Sequence, residues 1–208
     1  IERINDGYIP YVDFQLDYTP LAFYIYLFFK KIFYIDINYS FFLTIHFIFQ
    51  ILTGFYVYKL TYFFLQEKRL SFLAFIFFIL SSHWLMGNVV LLETPSLLCG
   101  LAACYYALKY RNKTYLYFLI GILVSGAFLV KQYGAGFIFL VIYLIFLNKK
   151  YIKQLLFYTL GLLVPVLILY CIFGNHFLNI LTGNGYGHGI HFNSLVESWI
   201  KFLIRIFP

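Results

Sequence analysis

The order of apolar and polar residues along the chain predicts a series of membrane-spanning helices. Long apolar runs alternate with short polar segments, and we assign six of these runs to helices: 39–65, 70–86, 95–108, 115–130, 134–147 and 154–173. A helix needs roughly 20 apolar residues to cross a bilayer, and several of the runs are shorter than that. The pattern predicts an all-α fold, namely a polytopic helical membrane protein with about six transmembrane helices.

The beginning of the chain follows a different pattern. Residues 5–21 (NDGYIPYVDFQLDYTPL) hold three aspartates and three tyrosines, and residues 20–35 are apolar but interrupted by Lys30 and Lys31. We expect an outward-facing loop and then a helix that lies at the membrane interface, with a spanning helix as the alternative. The predicted organisation is an N-terminal loop and interfacial helix over 1–38, a transmembrane domain over 39–173, and an outward Gly/His-rich loop with the start of a further helix over 174–208.

Composition and charge also indicate a membrane protein. The chain is 63% hydrophobic and only 11% charged, whereas a soluble domain carries about twice that charged fraction. The net charge of +7 does not indicate nucleic-acid binding, because eight of the fifteen basic residues lie in the short loops 66–69, 109–113 and 148–153, as residues that set membrane topology do. The three cysteines lie inside apolar runs, so no disulfide framework is expected.

The distribution of basic residues predicts the orientation. The remaining loops, 87–94, 131–133 and 174–198, hold one basic residue, Lys131. Basic loops mark the cytoplasmic side of a membrane protein, so these remaining loops and the opening segment should face outward. The partner that follows most directly from the sequence is therefore the lipid bilayer.

Two ionisable residues border the predicted helices. Glu93 precedes Pro95, where it is either a functional carboxylate or a capping residue that suits the helix dipole. Lys131 follows an apolar helix on the side where basic residues are scarce. It is either a partner for an anion or a lysine whose side chain reaches back to the interface.

Residues 174–194 form a segment rich in glycine, asparagine and histidine. His188 and His191 are spaced i, i+3, as in some metal sites, but no cysteine or carboxylate is adjacent to them. We therefore favour a loop that contacts phosphate or binds an acceptor, and we assign no metal site. The cofactor stays unknown, and a divalent cation is compatible with the sequence but not indicated by it. Motifs of nucleotide-binding, zinc-protease and nucleic-acid sites are missing from the sequence.

Two stretches of the sequence carry a family resemblance. They are GYIPYVDF at 7–14 with Gly7, Pro10, Tyr11, Asp13 and Phe14, followed by Thr19-Pro20-Leu21 and Tyr24, and YLYFLIGILVSGAFLVKQYG at 115–134 with Lys131. In their order, and with an acid (Glu93) near the end of the second helix, they resemble the GT-C membrane glycosyltransferases. The most similar group is family 39, which includes dolichyl-phosphate-mannose–protein mannosyltransferases and aminoarabinose transferase-like enzymes. The acidic pair that holds that family's catalytic aspartate would fall shortly before Ile1, so we expect a fragment that lacks the first transmembrane helix.

The resemblance implies an enzyme that moves a sugar from a polyprenyl-phosphate donor to a lipid, glycan or protein acceptor. The reaction would take place on the outward face of a membrane, which we expect to be the bacterial inner membrane. Asp13 and Glu93 are the catalytic candidates, and the substrate-binding candidates are Lys131, Tyr11, Asp17, Tyr133, His188 and His191. The alternative is a transporter or flippase of a lipid-linked saccharide, although the paired repeats typical of transporters are not evident.

Overall fold

The structure, a computed structural model, describes residues 2–8, 13, 21–33, 39–86, 93–148, 151–175 and 177. Within these ranges every regular element is helical, which confirms the predicted all-α class for this part of the chain. The helices are α1 (Glu2–Asn5), α2 (Leu21–Phe33), α3 (Tyr39–Leu65), α4 (Lys68–Met86), α5 (Glu93–Lys109), α6 (Leu116–Val130), the 3-10 helix η1 (Gln132–Ala135), α7 (Gly136–Phe146) and α8 (Tyr151–Phe173).

Two of these helices are long and apolar enough to cross a membrane. The apolar part of α3, Ser40–Leu65, has 26 residues, and α8, Tyr151–Phe173, has 23. The apolar segments Leu116–Val130 and Tyr133–Phe146 are shorter. At 1.5 Å per residue the 15 residues of α6 cover about 22 Å, less than the roughly 30 Å of a bilayer's hydrocarbon core. The figure of about six transmembrane helices therefore stays a prediction.

The helix α2 begins the packed part of the chain. It has 13 residues, which span about 20 Å and fall short of a full crossing. Its buried Tyr26 packs edge-to-face against Phe42 and Phe49 of α3. The length suits the predicted interfacial helix better than a spanning one.

Close backbone packing joins α6 to α8. Gly121 in α6 lies against the backbone of Tyr158, and Gly161 in α8 lies against the backbone of Phe118, so a Cβ atom at either glycine would collide with a carbonyl oxygen. Helices in membranes commonly approach one another through small residues in this way. The pair forms the centre of the described bundle, because α5 also packs against α6. The core between them contains Ala103, Cys104, Ala107, Tyr117, Ile120, Val124, Val141, Ile145 and Tyr158.

One end of the bundle, which we call the Glu93 end, contains the first residues of some helices and the last residues of others. Leu21 at the start of α2 packs in one cluster with Leu129 near the end of α6 and Phe173 at the end of α8. At the start of α5, Leu98 packs against Phe41 and its neighbours near the start of α3. The described residues of the predicted outward segments, 93–94, 131–133 and 174–175, thus lie at the same end of the bundle.

The opposite end, which we call the basic end, contains the turns after α3, α5 and α7. Tyr56 in the second half of α3 hydrogen-bonds Tyr106 near the end of α5. Arg111 after α5 hydrogen-bonds Asn148 after α7. The described basic residues of these turns are Lys68, Arg69, Lys109, Arg111, Lys113 and Lys153. The basic turns and Lys131 thus lie at opposite ends of the bundle, as the sequence predicts.

Candidate functional site

Glu93 and Lys131, which are 38 positions apart in the sequence, form an ion pair between Lys131 Nζ and Glu93 Oε1. Glu93 is the first residue of α5 and Lys131 directly follows the last residue of α6. Because α5 and α6 are antiparallel neighbours, the start of one lies beside the end of the other. The side chain of Lys131 is 17% exposed and that of Glu93 is 36% exposed. The pair thus lies at the rim of the bundle, partly shielded from solvent.

A shared backbone acceptor holds the two helix termini together below this pair. The Ala127 carbonyl oxygen in α6 accepts a hydrogen bond from the Ser96 hydroxyl in α5 (2.8 Å) and another from the Lys131 N–H (3.2 Å). The Lys131 backbone is extended, with φ −151° and ψ 134°, which ends α6 at this residue. The position of the ammonium is therefore set by α5 and α6 together. Sequence reasoning missed Ser96, although a serine one turn after Glu93 in an apolar helix was an available signal.

Gly134 allows the chain to fold back over the end of α6. Its N–H donates to the Lys131 carbonyl at 2.8 Å, and a Cβ atom at this position would collide with the backbone of Ala127. The resulting turn, η1, exposes 77% of Tyr133 and places its ring centroid 5.4 Å from Lys131 Nζ. Lys131 is thus flanked by a carboxylate on α5 and an aromatic face on η1.

Only one of the two carboxylate oxygens of Glu93 contacts Lys131. Glu93 lies in the first turn of α5, where the helix dipole favours a negative charge. Its Oε2 atom is buried and has no hydrogen-bond partner among the described residues. Burial lowers the pKa of Lys131 from its ordinary value of 10.5, while the neighbouring carboxylate acts in the opposite direction. The arrangement offers a cation for an anionic ligand and an acceptor for a hydroxyl or amine.

Of the predicted site residues that remain, the structure describes Asp13 but not the others. Asp13 lies in an exposed turn. Tyr11, Asp17, His188 and His191 lie outside the described residues. Leu21 and Phe177, which the structure describes, both pack in the cluster with Leu129, two residues before Lys131. Of the predicted site residues, the structure brings together Glu93, Lys131 and Tyr133.

The described part of the chain contains neither a cluster of three metal-ligating side chains nor a disulfide bond. No group of three or more His, Cys, Asp or Glu side chains lies close enough there to hold a metal ion. His46 in α3 is a buried residue of the helical core, and its Nε2 atom lies 3.2 Å from Gln50 Nε2. The free cysteines Cys99, Cys104 and Cys171 are unpaired within the described ranges.

A second polar cluster, which sequence reasoning missed, lies at the basic end. The Asn148 amide donates to the Tyr117 hydroxyl at 3.1 Å and to Gln154 Oε1 at 3.0 Å, and its oxygen accepts from Arg111 Nε at 2.9 Å. Gln154 in turn donates to the Arg111 carbonyl oxygen. These bonds join the ends of α5 and α7 to the start of α8. Because its members satisfy one another, we assign this cluster to the stability of the fold.

Comparison with known proteins adds nothing to this geometry, since no protein family, curated protein or solved structure matches the chain. The resemblance to the GT-C glycosyltransferases rests on short stretches of sequence and stays a prediction. What the chain does must be inferred from its own residues and from where the fold places them.

Proposed function

We propose that this protein is an integral-membrane glycosyltransferase that moves a sugar from a polyprenyl-phosphate donor to a lipid, glycan or protein acceptor. The observation that carries the proposal is the Glu93–Lys131 pair, at the end of the bundle opposite the basic turns. An ionisable pair at a membrane boundary is costly to keep, and such residues commonly mark functional sites.

The apolar surface of the outer helices supports a membrane location. Leu156, Leu160 and Leu167 on one face of α8 are exposed, as are Leu73 and Phe77 on α4. Such contiguous apolar faces are unfavourable in water but suit contact with lipid. Together with the two helices of spanning length, they support a bundle that crosses the bilayer.

The charge difference between the two ends supports an orientation. Most of the described lysines and arginines lie at the basic end, which supports a cytoplasmic location for that end. The Glu93 end then faces outward, where lipid-linked sugars are used by the enzymes that this sequence resembles. An active site at that end meets its donor at the outer surface of the membrane.

The proposed reaction is a direct displacement at the sugar. A carboxylate of the outward loop, with Asp13 as the candidate on this chain, takes the proton from the acceptor hydroxyl or amine. The acceptor atom attacks the anomeric carbon, and the bond from that carbon to the phosphate oxygen breaks with inversion. Polyprenyl phosphate leaves with the bonding electron pair. Lys131 stabilises its charge, and the second oxygen of Glu93 orients the sugar or the acceptor.

The pairing of Lys131 with Glu93 is compatible with this role. An ammonium group has three N–H donors, so a bond to one Glu93 oxygen does not prevent a contact with phosphate. The carboxylate also fixes the ammonium at the end of α6 before the donor arrives. A positioned charge requires little reorganisation when the leaving group develops its own charge.

Transfer from polyprenyl-phosphate sugars, measured in membranes that contain the protein, tests the proposal. Lys131→Ala is expected to abolish transfer while the protein stays inserted and abundant. The control is Lys153→Ala, which removes an exposed lysine at the basic end and should leave transfer intact. Full activity of Lys131→Ala would remove the role assigned to this lysine.

Transfer and transport assays of the wild-type protein distinguish an enzyme from a transporter. An enzyme transfers radiolabelled sugar from the polyprenyl phosphate to an acceptor. A flippase moves the lipid-linked saccharide across vesicles without breaking its glycosidic bond, and it continues to do so after Asp13→Asn and Glu93→Gln. Transport without transfer would overturn the glycosyltransferase proposal.

A further inference from the structure

Lys59 interrupts the apolar sequence of α3 six residues before the helix ends at Leu65, about 9 Å from that end. Its ammonium nitrogen lies 4.2 Å from the ring centroid of Phe55, 5.7 Å from that of Tyr56 and 5.1 Å from that of Tyr105. Since Phe55 precedes Lys59 by one turn, the side chain points into the helical part of the bundle and away from the basic end. Orientation in the membrane does not require a lysine at this depth.

Two further lysines continue this positive site from α5 into the turn after it. Lys109 Nζ lies 5.5 Å from the ring centroid of Tyr105, which Lys59 also contacts, and 5.2 Å from that of Tyr110. Lys113 Nζ lies 5.4 Å from the Tyr110 ring. Within the described ranges none of the three lysines forms an ion pair with a carboxylate. Three cations thus line a row of tyrosines without a neutralising anion there.

An exposed apolar stripe leads along α3 to this site. Ile48, Leu52 and Phe55 precede Lys59 on the same face of the helix, because their spacing is four, three and four residues. Their exposed fractions are 41%, 42% and 45%. The face therefore offers an apolar track that ends at an ammonium group, which matches a molecule with an apolar chain and an anionic head.

We propose that Lys59, Lys109 and Lys113 bind the phosphate headgroup of an anionic membrane lipid whose acyl chain lies along Ile48, Leu52 and Phe55. Lysines supply the charge, since basic residues near a bilayer attract anionic lipids. The site lies at the basic end, opposite the Glu93–Lys131 pair. It rests on the membrane location in the proposed function but not on sugar transfer.

Binding to the purified full chain in lipid nanodiscs tests the inference, with phosphatidylglycerol as the probe and phosphatidylcholine and inorganic phosphate as comparisons. Native mass spectrometry should show phosphatidylglycerol retained in preference to phosphatidylcholine. Each substitution of the three lysines by glutamine should weaken retention about fivefold, as expected for one basic residue near a membrane surface. Lys59→Arg keeps the charge and should keep most of the binding.

The matched control removes three basic residues at the same end that have no ring contact in the described structure: Lys68→Gln, Arg69→Gln and Lys153→Gln. Equal loss of lipid in this control would show general charge attraction and overturn the site. Displacement of the lipid by millimolar inorganic phosphate would show a site for free phosphate and overturn the lipid assignment. Should Lys59→Gln fail to fold, the exposed Lys109→Gln alone decides, because unchanged retention in that variant contradicts the proposal.

The proposals of lipid binding and of sugar transfer can be contradicted independently of each other. Loss of transfer in Lys131→Ala with normal phosphatidylglycerol retention concerns the catalytic site alone. A protein that is released from membranes without detergent would instead remove the location on which both proposals depend.

Discussion

The polar groups at the two ends of the bundle differ in how completely they are hydrogen-bonded. At the basic end, Asn148 donates to Tyr117 and Gln154 and accepts from Arg111, so groups that follow α5 and α7 and groups at the starts of α6 and α8 satisfy one another. At the Glu93 end, the ion pair leaves one buried carboxylate oxygen without a partner among the described residues. Buried polar groups that are fully bonded make a fold rigid, whereas an open acceptor at a rim is a position where a ligand can bind.

This contrast separates stability from function. Changes to the Asn148 cluster at the basic end should alter how well the protein folds without altering sugar transfer by each folded molecule. Changes at the Glu93 end should alter the reaction more than the fold. Each prediction below tests one side of that division.

The largest effect on sugar transfer is expected from variants of the ion pair, made singly and together. Glu93→Gln and Lys131→Met should each lower transfer about 100-fold or more, since one positioned electrostatic group is worth about that factor. Each single change also leaves a partly buried charge unpaired, which costs about 1–3 kcal/mol of stability. The double variant should regain that stability, because no lone charge remains, while transfer stays lost. Thermal unfolding in detergent and the transfer assay measure the two quantities.

The outcome of this cycle decides between a structural and a functional pair. If the double variant recovers transfer together with stability, then the pair only holds α5 against α6. Its position at the Glu93 end would then carry no catalytic meaning.

A smaller effect is expected from the turn that positions Lys131. Gly134→Ala places a methyl group against the Ala127 backbone, which must shift, at a cost of about 1–3 kcal/mol. Because Ala127 also anchors Ser96 and Lys131, transfer per folded molecule should fall roughly tenfold or more through misplacement of the ammonium. The control is Gly136→Ala, whose added methyl group meets nothing within 4 Å. Equal behaviour of the two variants would show that the turn does not position the site.

Much of the Glu93 end could be predicted because it depends on the order of helices. In a bundle of antiparallel helices joined by short turns, successive turns lie at alternate ends. Basic residues are scarce in the turns that contain Glu93 and Lys131, which distinguishes their end from the other. Charge and periodicity therefore predicted that the two residues share a side. That they touch depends on the details of α5–α6 packing, which the one-dimensional pattern does not contain.

The basic end could not be predicted in the same way. Arg111, Asn148 and Gln154 resemble ordinary loop residues, and their bonds require α8 to begin beside the end of α5. That position depends on the contact of Gly121 with Gly161, but glycines in apolar runs have many roles. The helix lengths were also hard to predict, because apolar residues continue past several helix ends, as at Tyr115 before α6 and Leu147 after α7.

A change at the basic end should lower stability alone. Asn148→Ala removes the acceptor of Arg111 and the donor to Gln154, and leaving such groups unsatisfied costs about 1–3 kcal/mol. The midpoint of thermal unfolding should fall, while transfer per folded molecule stays within about twofold of wild type. Asn112→Ala, at an exposed position in the turn after α5, is the control and should leave both quantities unchanged. A loss of transfer without a loss of stability would contradict the division between the ends.

The smallest and most specific effect is on the pH profile of transfer. Burial lowers the pKa of Lys131 from 10.5, and only the protonated ammonium can stabilise the leaving phosphate. As pH rises through that lowered pKa, the charged fraction in the free enzyme falls, so the alkaline decline of kcat/KM, which reports the free enzyme, should begin below pH 10.5. Lys131→Arg keeps its charge throughout this range and should remove the decline, even though its different geometry lowers the rate at neutral pH. A decline that is the same in both proteins would assign the titration to another group and would remove the Lys131 charge from the proposed reaction.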